Sequence, residues 1–227
     1  MIQELRAEDP EHRRKLEEEG CPLALPVILR EGEPVPEEYQ AITSYWEPNY
    51  IFPTGLGLIH GEQLRHWDDF QQVRRRDRDY YRRHPEKFGN LEKYSVTMRE
   101  KYGVPGEFRL QMDEKQQTRL ETWSEFQIFC LHHHDRLWKI LRHNERKLEK
   151  QIKLAEENAQ GVCRRTKYRV PRYHFPVSRW IELNHERIEK HKVLLDWVQK
   201  QRVKMELEQA ASAEEDRNEG AGAARAA

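Results

Sequence analysis

The stretch from Glu107 to Gln160 constrains this chain most, because it contains neither Gly nor Pro. Pro breaks helix interiors and Gly weakens them, so an uninterrupted run of this length predicts one very long helix. We predict that it begins at Asp113, an N-cap residue with Gln116 three positions later, and ends at Gly161. Its apolar residues recur at spacings of three, four and seven, which places them on one stripe. They are Leu120, Trp123, Cys130, Leu131, Leu137, Trp138, Leu141, Leu148, Ile152 and Ala155.

The distal half of this predicted helix differs from its proximal half. From Arg142 onward it carries about one apolar residue per turn among Glu, Lys, Arg and Gln. A stripe this narrow suits a coiled-coil seam better than a globular core. We therefore predict that the distal half pairs with another helix.

Composition supports extended helices rather than a large compact core. Of the 227 residues, 37% are hydrophobic and 35% are charged, whereas charged residues usually make up about a quarter of a globular domain. The 40 basic and 40 acidic residues give a formal net charge of zero. No global electrostatic field therefore favours nucleic acid or membrane as a partner.

Cysteine usage and hydropathy indicate the compartment. The three cysteines, Cys21, Cys130 and Cys163, are far apart and form no C-x-x-C pair, which argues against a disulfide framework or a zinc knuckle. The sequence has no apolar run of membrane-spanning length, and Met1–Leu16 is mostly charged, unlike a signal peptide. We expect an intracellular protein, cytoplasmic or nuclear.

Composition along the chain predicts four segments. Residues 1–39 form an N-terminal arm, with a short helix from Asp9-Pro10 to Gly20, followed by a Pro-rich linker. The linker either lies on a helix surface or docks on a partner. Residues 40–112 form a small helical module with an aromatic loop, and residues 113–209 form the long helix, a basic turn and a C-terminal helix. Residues 210–227, rich in Ala, Glu and Gly, are predicted to be disordered.

A helical motif occurs twice in the sequence. The stretches Leu64–Gln71 and Leu120–Gln127 share the pattern L-x-x-W-x-[DE]-F-Q, and Leu194, Trp197 and Gln201 keep its Leu, Trp and Gln. On a helix, Leu, Trp and Gln at these spacings lie on one face, and Phe widens that face. Two interpretations remain open: a repeat of related helices, or three unrelated aromatic core faces.

With the motif Phe88…Tyr94…Arg99 and the run Gly103-Val-Pro-Gly106…Asp113…Gln117…Leu120, these boxes resemble a group of fungal hypothetical proteins. Members of that group combine W-x-x-[FY]-Q helices with a long charged coiled coil. The resemblance extends from Leu64 to about Ala159. It implies helices and a coiled coil, and it implies no activity and no functional residues.

The sequence gives little support for a metal-binding site or for nucleophilic catalysis. Consecutive residues His132, His133 and His134 point about 100° apart on a helix, so they do not converge on one ion. Glu182-Leu-Asn-His185 is a single E-x-x-H unit, whereas di-iron bundles use two. No Ser lies in a G-x-S-x-G turn, and Cys130 lies in an apolar stretch typical of an inert thiol. We predict no catalytic, cofactor-binding or metal-ligating residues, and no cofactor.

Nucleic-acid binding is the main alternative to a protein-binding function. Between Asn158 and Ile181 the chain has six basic residues and no acidic one, with aromatic residues interleaved. Cations can bind phosphates, and aromatic rings can stack on bases. The other interpretation is that these cations pair with acidic faces of neighbouring helices. The candidate contacts are Arg164, Arg165, Lys167, Arg169 and Arg172.

Together these patterns predict an all-α protein. A small helical module packs on the proximal part of the long helix, and the distal part forms an antiparallel coiled-coil hairpin with the C-terminal helix. The predicted function is that of a non-enzymatic scaffold or adaptor, which contacts a protein partner or a second copy of itself. We expect no small-molecule ligand. The predicted structural anchors are Trp67, Trp123, Trp138, Trp180 and Trp197.

Overall fold

A computed structural model of the chain describes residues 2–27, 33–46, 57–105, 109–159 and 177–226. Side chains are described for residues 10–27, 33–46, 59–105, 109–154 and 177–214. The helices are α1 (Ile2–Glu18), α2 (Glu37–Trp46), α3 (Gly57–Arg83), α4 (Phe88–Lys101), α5 (Arg119–Ala159) and α6 (Val177–Ala226), with 3-10 turns at Pro85–Lys87 and Glu114–Gln116. The described residues contain no β-strand, and the prediction of an all-α fold is confirmed.

The chain divides into two compact units. Unit 1 comprises Met1–Leu131 and Val193–Ala227, and unit 2 comprises His132–Lys192. Both long helices, α5 and α6, therefore contribute to each unit. The four segments expected from composition stay a prediction.

In unit 1, helix α1 packs on α3. Leu16 is fully buried, and Glu19 beyond the end of α1 accepts a hydrogen bond from the indole Nε1 of Trp67 at 2.7 Å. The predicted start of this helix at Asp9-Pro10 is wrong, because α1 begins at Ile2 and Pro10 lies inside it. Pro10 has no N–H to donate within the helix, but this one position does not interrupt it.

The segment that follows α1 lies on α3. The Gln63 side chain accepts a hydrogen bond from the backbone N–H of Ala24 (3.0 Å) and donates to the carbonyl oxygen of Pro22 (2.6 Å). The imidazole Nε2 of His60 is 3.2 Å from the carbonyl oxygen of Leu25. Residues 21–27 thus follow the first alternative for the linker, a segment that lies on a helix surface.

Helix α5 begins later than the sequence analysis expected. Asp113 accepts a hydrogen bond from Lys115 N, but the turn that it caps is the short 3-10 turn. The hydroxyl of Thr118 accepts from Glu121 N (3.2 Å), while the Glu121 carboxylate accepts from Thr118 N (2.8 Å). This reciprocal pair is a capping box, so Thr118 is the N-cap of α5.

Helix α4 begins at Phe88 and has no side-chain cap at its N-cap residue, Lys87. One further boundary differs from the prediction. Helix α6 was expected to end at about Gln209 and extends to Ala226. Disorder of residues 210–227 in solution stays a prediction.

Unit 2 is built from the distal part of α5 and the proximal part of α6. Its buried apolar side chains are Leu137, Leu141 and Ile188, with Trp138 and Ile181 packed against them. The contacts pair later residues of α5 with earlier residues of α6, since His134 neighbours His191 while Glu145 neighbours His185. The two helices therefore form an antiparallel hairpin, as predicted.

Candidate functional site

The repeated helical boxes meet in the core of unit 1. The indole rings of Trp67 on α3 and Trp123 on α5 stack with centroids 6.0 Å apart, and Phe126 lies 5.1 Å from Trp67. Trp197 on α6 packs edge-on against Trp123 at 5.6 Å. The Trp residues of all three boxes therefore share one aromatic cluster. Aromatic pairs at such distances contribute about 0.5–1.5 kcal/mol each beyond the area that they bury.

The five predicted tryptophan anchors differ in their surroundings. Trp67, Trp123 and Trp197 are buried in unit 1, and Trp138 is partly buried in unit 2. Trp180, near the start of α6, is 45% exposed. The anchoring role of the five tryptophans stays a prediction.

A buried charge network joins α3 to the first turns of α5. The guanidinium groups of Arg74 and Arg78 both lie 3.0 Å from the carboxylate of Glu125, and both donate to the side-chain oxygen of Gln117. The Arg78 side chain is fully buried. Glu125 is the acidic residue of the second box, whereas its counterpart Asp69 in the first box is exposed. The network therefore joins α3 to α5 through shared ion pairs and hydrogen bonds.

A cluster of three imidazole rings lies in unit 2. The ring of His191 on α6 stacks on that of His133 with centroids 5.0 Å apart, and on that of His134 at 5.4 Å. The Nε2 atom of His134 accepts a hydrogen bond from the indole Nε1 of Trp138 at 3.1 Å. His134 and His191 are buried, and His133 is exposed. The hairpin therefore brings two consecutive histidines of α5 to one histidine of α6.

The surroundings of this cluster disfavour protonation of His133 and His134, its two residues on α5. Desolvation lowers the pKa of His133, and the charges of Arg136 and His132 act in the same direction. Desolvation also lowers the pKa of His134, with Lys192 adding to the effect, while the carboxylates of Asp135 and Glu189 oppose it. Both rings therefore favour the neutral form more than a free histidine does.

The described side chains contain no group of three or more His, Cys, Asp or Glu residues that could hold a metal ion. His185, the histidine of the E-x-x-H unit, has its Nε2 atom 3.9 Å from the carboxylate of Glu145, and both side chains are about half exposed. The absence of a metal site stays a prediction for the chain as a whole.

The proposed nucleic-acid contacts lie outside the described residues. Arg164, Arg165, Lys167, Arg169 and Arg172 all fall between residues 160 and 176. The described part of the same stretch includes Arg179, whose guanidinium pairs with Glu182 at 2.9 Å. The structure therefore does not bear on the alternative function.

Two of the three thiols are buried in unit 1. Burial raises the pKa of Cys21, and the hydrogen bond from Gln63 only partly opposes this effect. Burial likewise raises the pKa of Cys130. A thiol is nucleophilic as its thiolate, so neither group is suited to nucleophilic catalysis. Cys163 lies outside the described residues.

Sequence reasoning missed two polar groupings. The run from Arg74 to Arg83 mixes basic and acidic residues, a pattern typical of a solvated helix face, yet Arg74 and Arg78 are buried. Arg74 and Arg78 follow the buried Phe70 at intervals of four residues, and this helical spacing places all three side chains on the same face of α3. His133 and His134 were considered as metal ligands in the sequence analysis. The signal for His191 was its place on an apolar stripe between Ile188 and Leu195, which indicates a position in the seam.

Within the part of the chain that the structure describes, no helix combines the length and the apolar character needed to span a membrane. Comparison of the sequence with protein families, and of the chain with curated proteins and solved structures, finds no match. The resemblance to fungal hypothetical proteins stays a prediction.

Proposed function

We propose that this protein is a non-enzymatic helical scaffold or adaptor, which binds a protein partner or a second copy of itself through helix–helix contacts of unit 2. One observation carries the proposal, namely the composition of the interior of unit 2. Among its described side chains only three apolar residues are buried, together with the polar residues His134, Asp135, Asn184 and His191. Such a small and polar interior stabilises a two-helix hairpin poorly by itself.

The outer surface of unit 2 supports the same proposal. Ile140, Ile152 and Leu154 on α5 and Trp180 on α6 are 40–51% exposed. Ile140 and Leu154 are separated by fourteen residues, close to four helical turns, so they lie on the same side of α5. A further helix that covered this side would bury apolar surface that the hairpin leaves in water.

Heptad spacing on α6 favours a coiled-coil mode of contact with α5 within the hairpin, to which a further helix can add. Ile181, Asn184, Ile188 and His191 follow one another at spacings of three and four residues, and all are buried or partly buried. A polar residue in such a seam specifies register and partner at a cost in stability. Asn184, whose amide donates to Trp180 O at 2.7 Å, occupies a position of this kind.

The test is a comparison of two double variants. I140Q/L154Q removes the exposed apolar side of unit 2, and V96Q/V203Q removes two apolar side chains of unit 1 with similar exposure. In quantitative affinity capture with mass spectrometry, we expect I140Q/L154Q to lose the protein partners of the wild type and V96Q/V203Q to keep them. Partners that both variants retain, or that both lose, would contradict the proposal. Light scattering on the purified chain distinguishes self-association from binding of another protein.

The second candidate function is binding of single-stranded nucleic acid by residues 164–180. It is supported by the uneven charge of that segment, which has cations and aromatic residues but no acid. If Arg164, Arg165, Lys167, Arg169 and Arg172 bind phosphates, affinity must fall steeply as salt rises, because bound counterions are released. Filter binding by the wild type and by a variant with these five residues replaced by Ala tests this function. Weak binding at physiological salt, unchanged in the variant, would exclude it.

A further inference from the structure

We propose that the cluster of His133, His134 and His191 makes the hairpin of unit 2 a pH-sensitive switch, which loosens when the medium is acidified. The proposal rests on the geometry of three imidazole rings from two helices. His191 on α6 lies 5.0 Å from His133 and 5.4 Å from His134, ring centroid to ring centroid. Protonation of two or three of these rings places like charges at close range on facing helices, where they repel.

The hydrogen bond between Trp138 and His134 adds a second dependence on protonation. The Nε2 atom of His134 accepts from the indole N–H, so this nitrogen must carry a lone pair. A protonated imidazole has an N–H at both nitrogens and accepts no hydrogen bond. Protonation of His134 therefore removes a hydrogen bond to Trp138, whose ring packs against the apolar cluster of Leu137, Leu141 and Ile188.

Other charged groups on both helices modify this response. On α5 these are His132, Asp135, Arg136 and Lys139, with the Asp135 carboxylate 2.9 Å from the Lys139 ammonium. On α6 they are Glu189 and Lys192. Arg136, His132 and Lys192 disfavour further positive charge, while Asp135 and Glu189 favour it. Desolvation is the largest effect on both His133 and His134, and it disfavours the charged form.

The direction in which stability changes with pH follows from the linkage between proton binding and folding. The pKa values of His133 and His134 are lower in the folded hairpin than the ordinary value of 6.5. The unfolded chain therefore binds more protons than the folded chain between that value and the lower folded values. Stability conferred by the neutral rings is complete above pH 6.5 and falls as pH decreases through this window. Carboxylates with ordinary pKa values of about 4 contribute little there.

One contact between the two helices of unit 2 strengthens on protonation and so opposes the loosening of the hairpin at low pH. A protonated His185 attracts the carboxylate of Glu145, which is 3.9 Å away on the other helix. Both side chains are about half exposed, so water and salt screen this attraction. We therefore expect the histidine cluster, in which His134 and His191 are buried, to determine the net response.

Hydrogen exchange of the full chain tests the proposal. Protection of peptides within residues 132–145 and 181–192 is compared at pH 7.5 and pH 5.5, after correction for intrinsic exchange chemistry. It should fall by up to about tenfold for each histidine that stays neutral in the folded hairpin, because pH 5.5 is one unit below the ordinary histidine pKa of 6.5. Peptides from α3 serve as the internal reference and should change by less than about twofold. The double variant H134Q/H191Q should lose most of this pH dependence, and the control H143Q, an exposed histidine of α5, should retain it.

Two results would overturn the proposal: equal protection of the wild type at both pH values, or an unchanged pH dependence in H134Q/H191Q. If the double variant does not fold at pH 7.5, histidine proton NMR titration of the wild type replaces it. Titration of His133 and His134 below pH 6.5 supports the switch. Titration of both at or above 6.5 refutes it, because the folded hairpin would then bind protons at least as well as the unfolded chain.

Discussion

The indole Nε1 of Trp123 on α5 donates a hydrogen bond to the backbone carbonyl oxygen of Val198 on α6, at 3.0 Å. Both residues are buried in unit 1, and the Trp123 ring also stacks on Trp67. A directional bond to a main-chain atom fixes both the register and the rotation of the two helices. One side chain thus joins three helices at a defined position.

The first prediction concerns this hydrogen bond. Trp123→Phe removes the indole N–H and part of the ring volume, so the free energy of unfolding should fall by about 1–3 kcal/mol. Chemical denaturation monitored by circular dichroism measures the change. Trp180→Phe is the matched control, because Trp180 is 45% exposed, and it should change stability by less than about 0.5 kcal/mol. Equal effects of the two substitutions would show that the junction does not depend on Trp123.

The sequence allowed the helices to be predicted wherever long amphipathic runs end at a Gly or Pro. The ends of α1, α3 and α4 at Gly20, His84-Pro85 and Gly103 are of this kind. The start of α5 was misplaced because two N-cap signals compete. Asp113 and Thr118 each have a residue able to complete a capping box three positions later, and the reciprocal bonds of α5 form between Thr118 and Glu121. Arg74 of α3 donates to the side chain of Gln117, which lies between the two candidate caps, so a contact from outside this segment also holds it.

The polar groupings could not be predicted from local sequence. A run of Arg and Asp residues has the same composition whether it is solvated or buried against a distant carboxylate. Burial of Arg78 depends on Glu125, which is 47 residues away along the chain. The histidine cluster likewise depends on the register of α5 against α6. Seven-residue periodicity defines a seam, but it does not specify which residues of the partner helix face it.

The second prediction concerns the buried charge network. Glu125→Gln leaves Arg74 and Arg78 buried without the carboxylate that they share, so stability should fall by about 3–5 kcal/mol. Asp79→Asn, in an exposed pair with Arg82, should cost about 0–1 kcal/mol. Urea denaturation of both variants provides the measurement. A loss in Glu125→Gln no larger than that in Asp79→Asn would contradict the assignment of the network as structural.

A third prediction uses two glycines in different backbone conformations. Gly20 has a φ of +73°, and its N–H donates to Glu17 O while Cys21 N donates to Leu16 O, as in a Schellman motif. Gly20→Ala should therefore destabilise the chain by about 1–2 kcal/mol. Gly89 lies in α4 and an added Cβ meets no atom within 4 Å, so Gly89→Ala should stabilise it by about 0.5 kcal/mol. Thermal melts should show shifts of opposite sign, and shifts of the same sign would count against this account.

A fourth prediction concerns the buried thiols. Since burial raises the pKa values of Cys21 and Cys130, native protein with Cys163→Ser should react slowly with a thiol reagent at pH 7.5 and fully after denaturation. Adding Gln63→Leu removes the hydrogen bonds that hold residues 22–24 on α3, so Cys21 should become reactive. Cys130 in the same protein is the internal control and should stay protected. Rapid reaction of either thiol in the Cys163→Ser protein would contradict the described packing.

The central claim, that unit 2 binds a helix of a protein partner, is tested most directly by photo-crosslinking in the cell. A photoreactive amino acid is introduced at Leu154 of unit 2 or, as a control of similar exposure, at Val203 of unit 1. We predict that Leu154 gives a discrete crosslinked adduct with a protein, either a second copy of this chain or another chain, and that Val203 does not. No adduct at Leu154, or the same adducts at both positions, would contradict the claim.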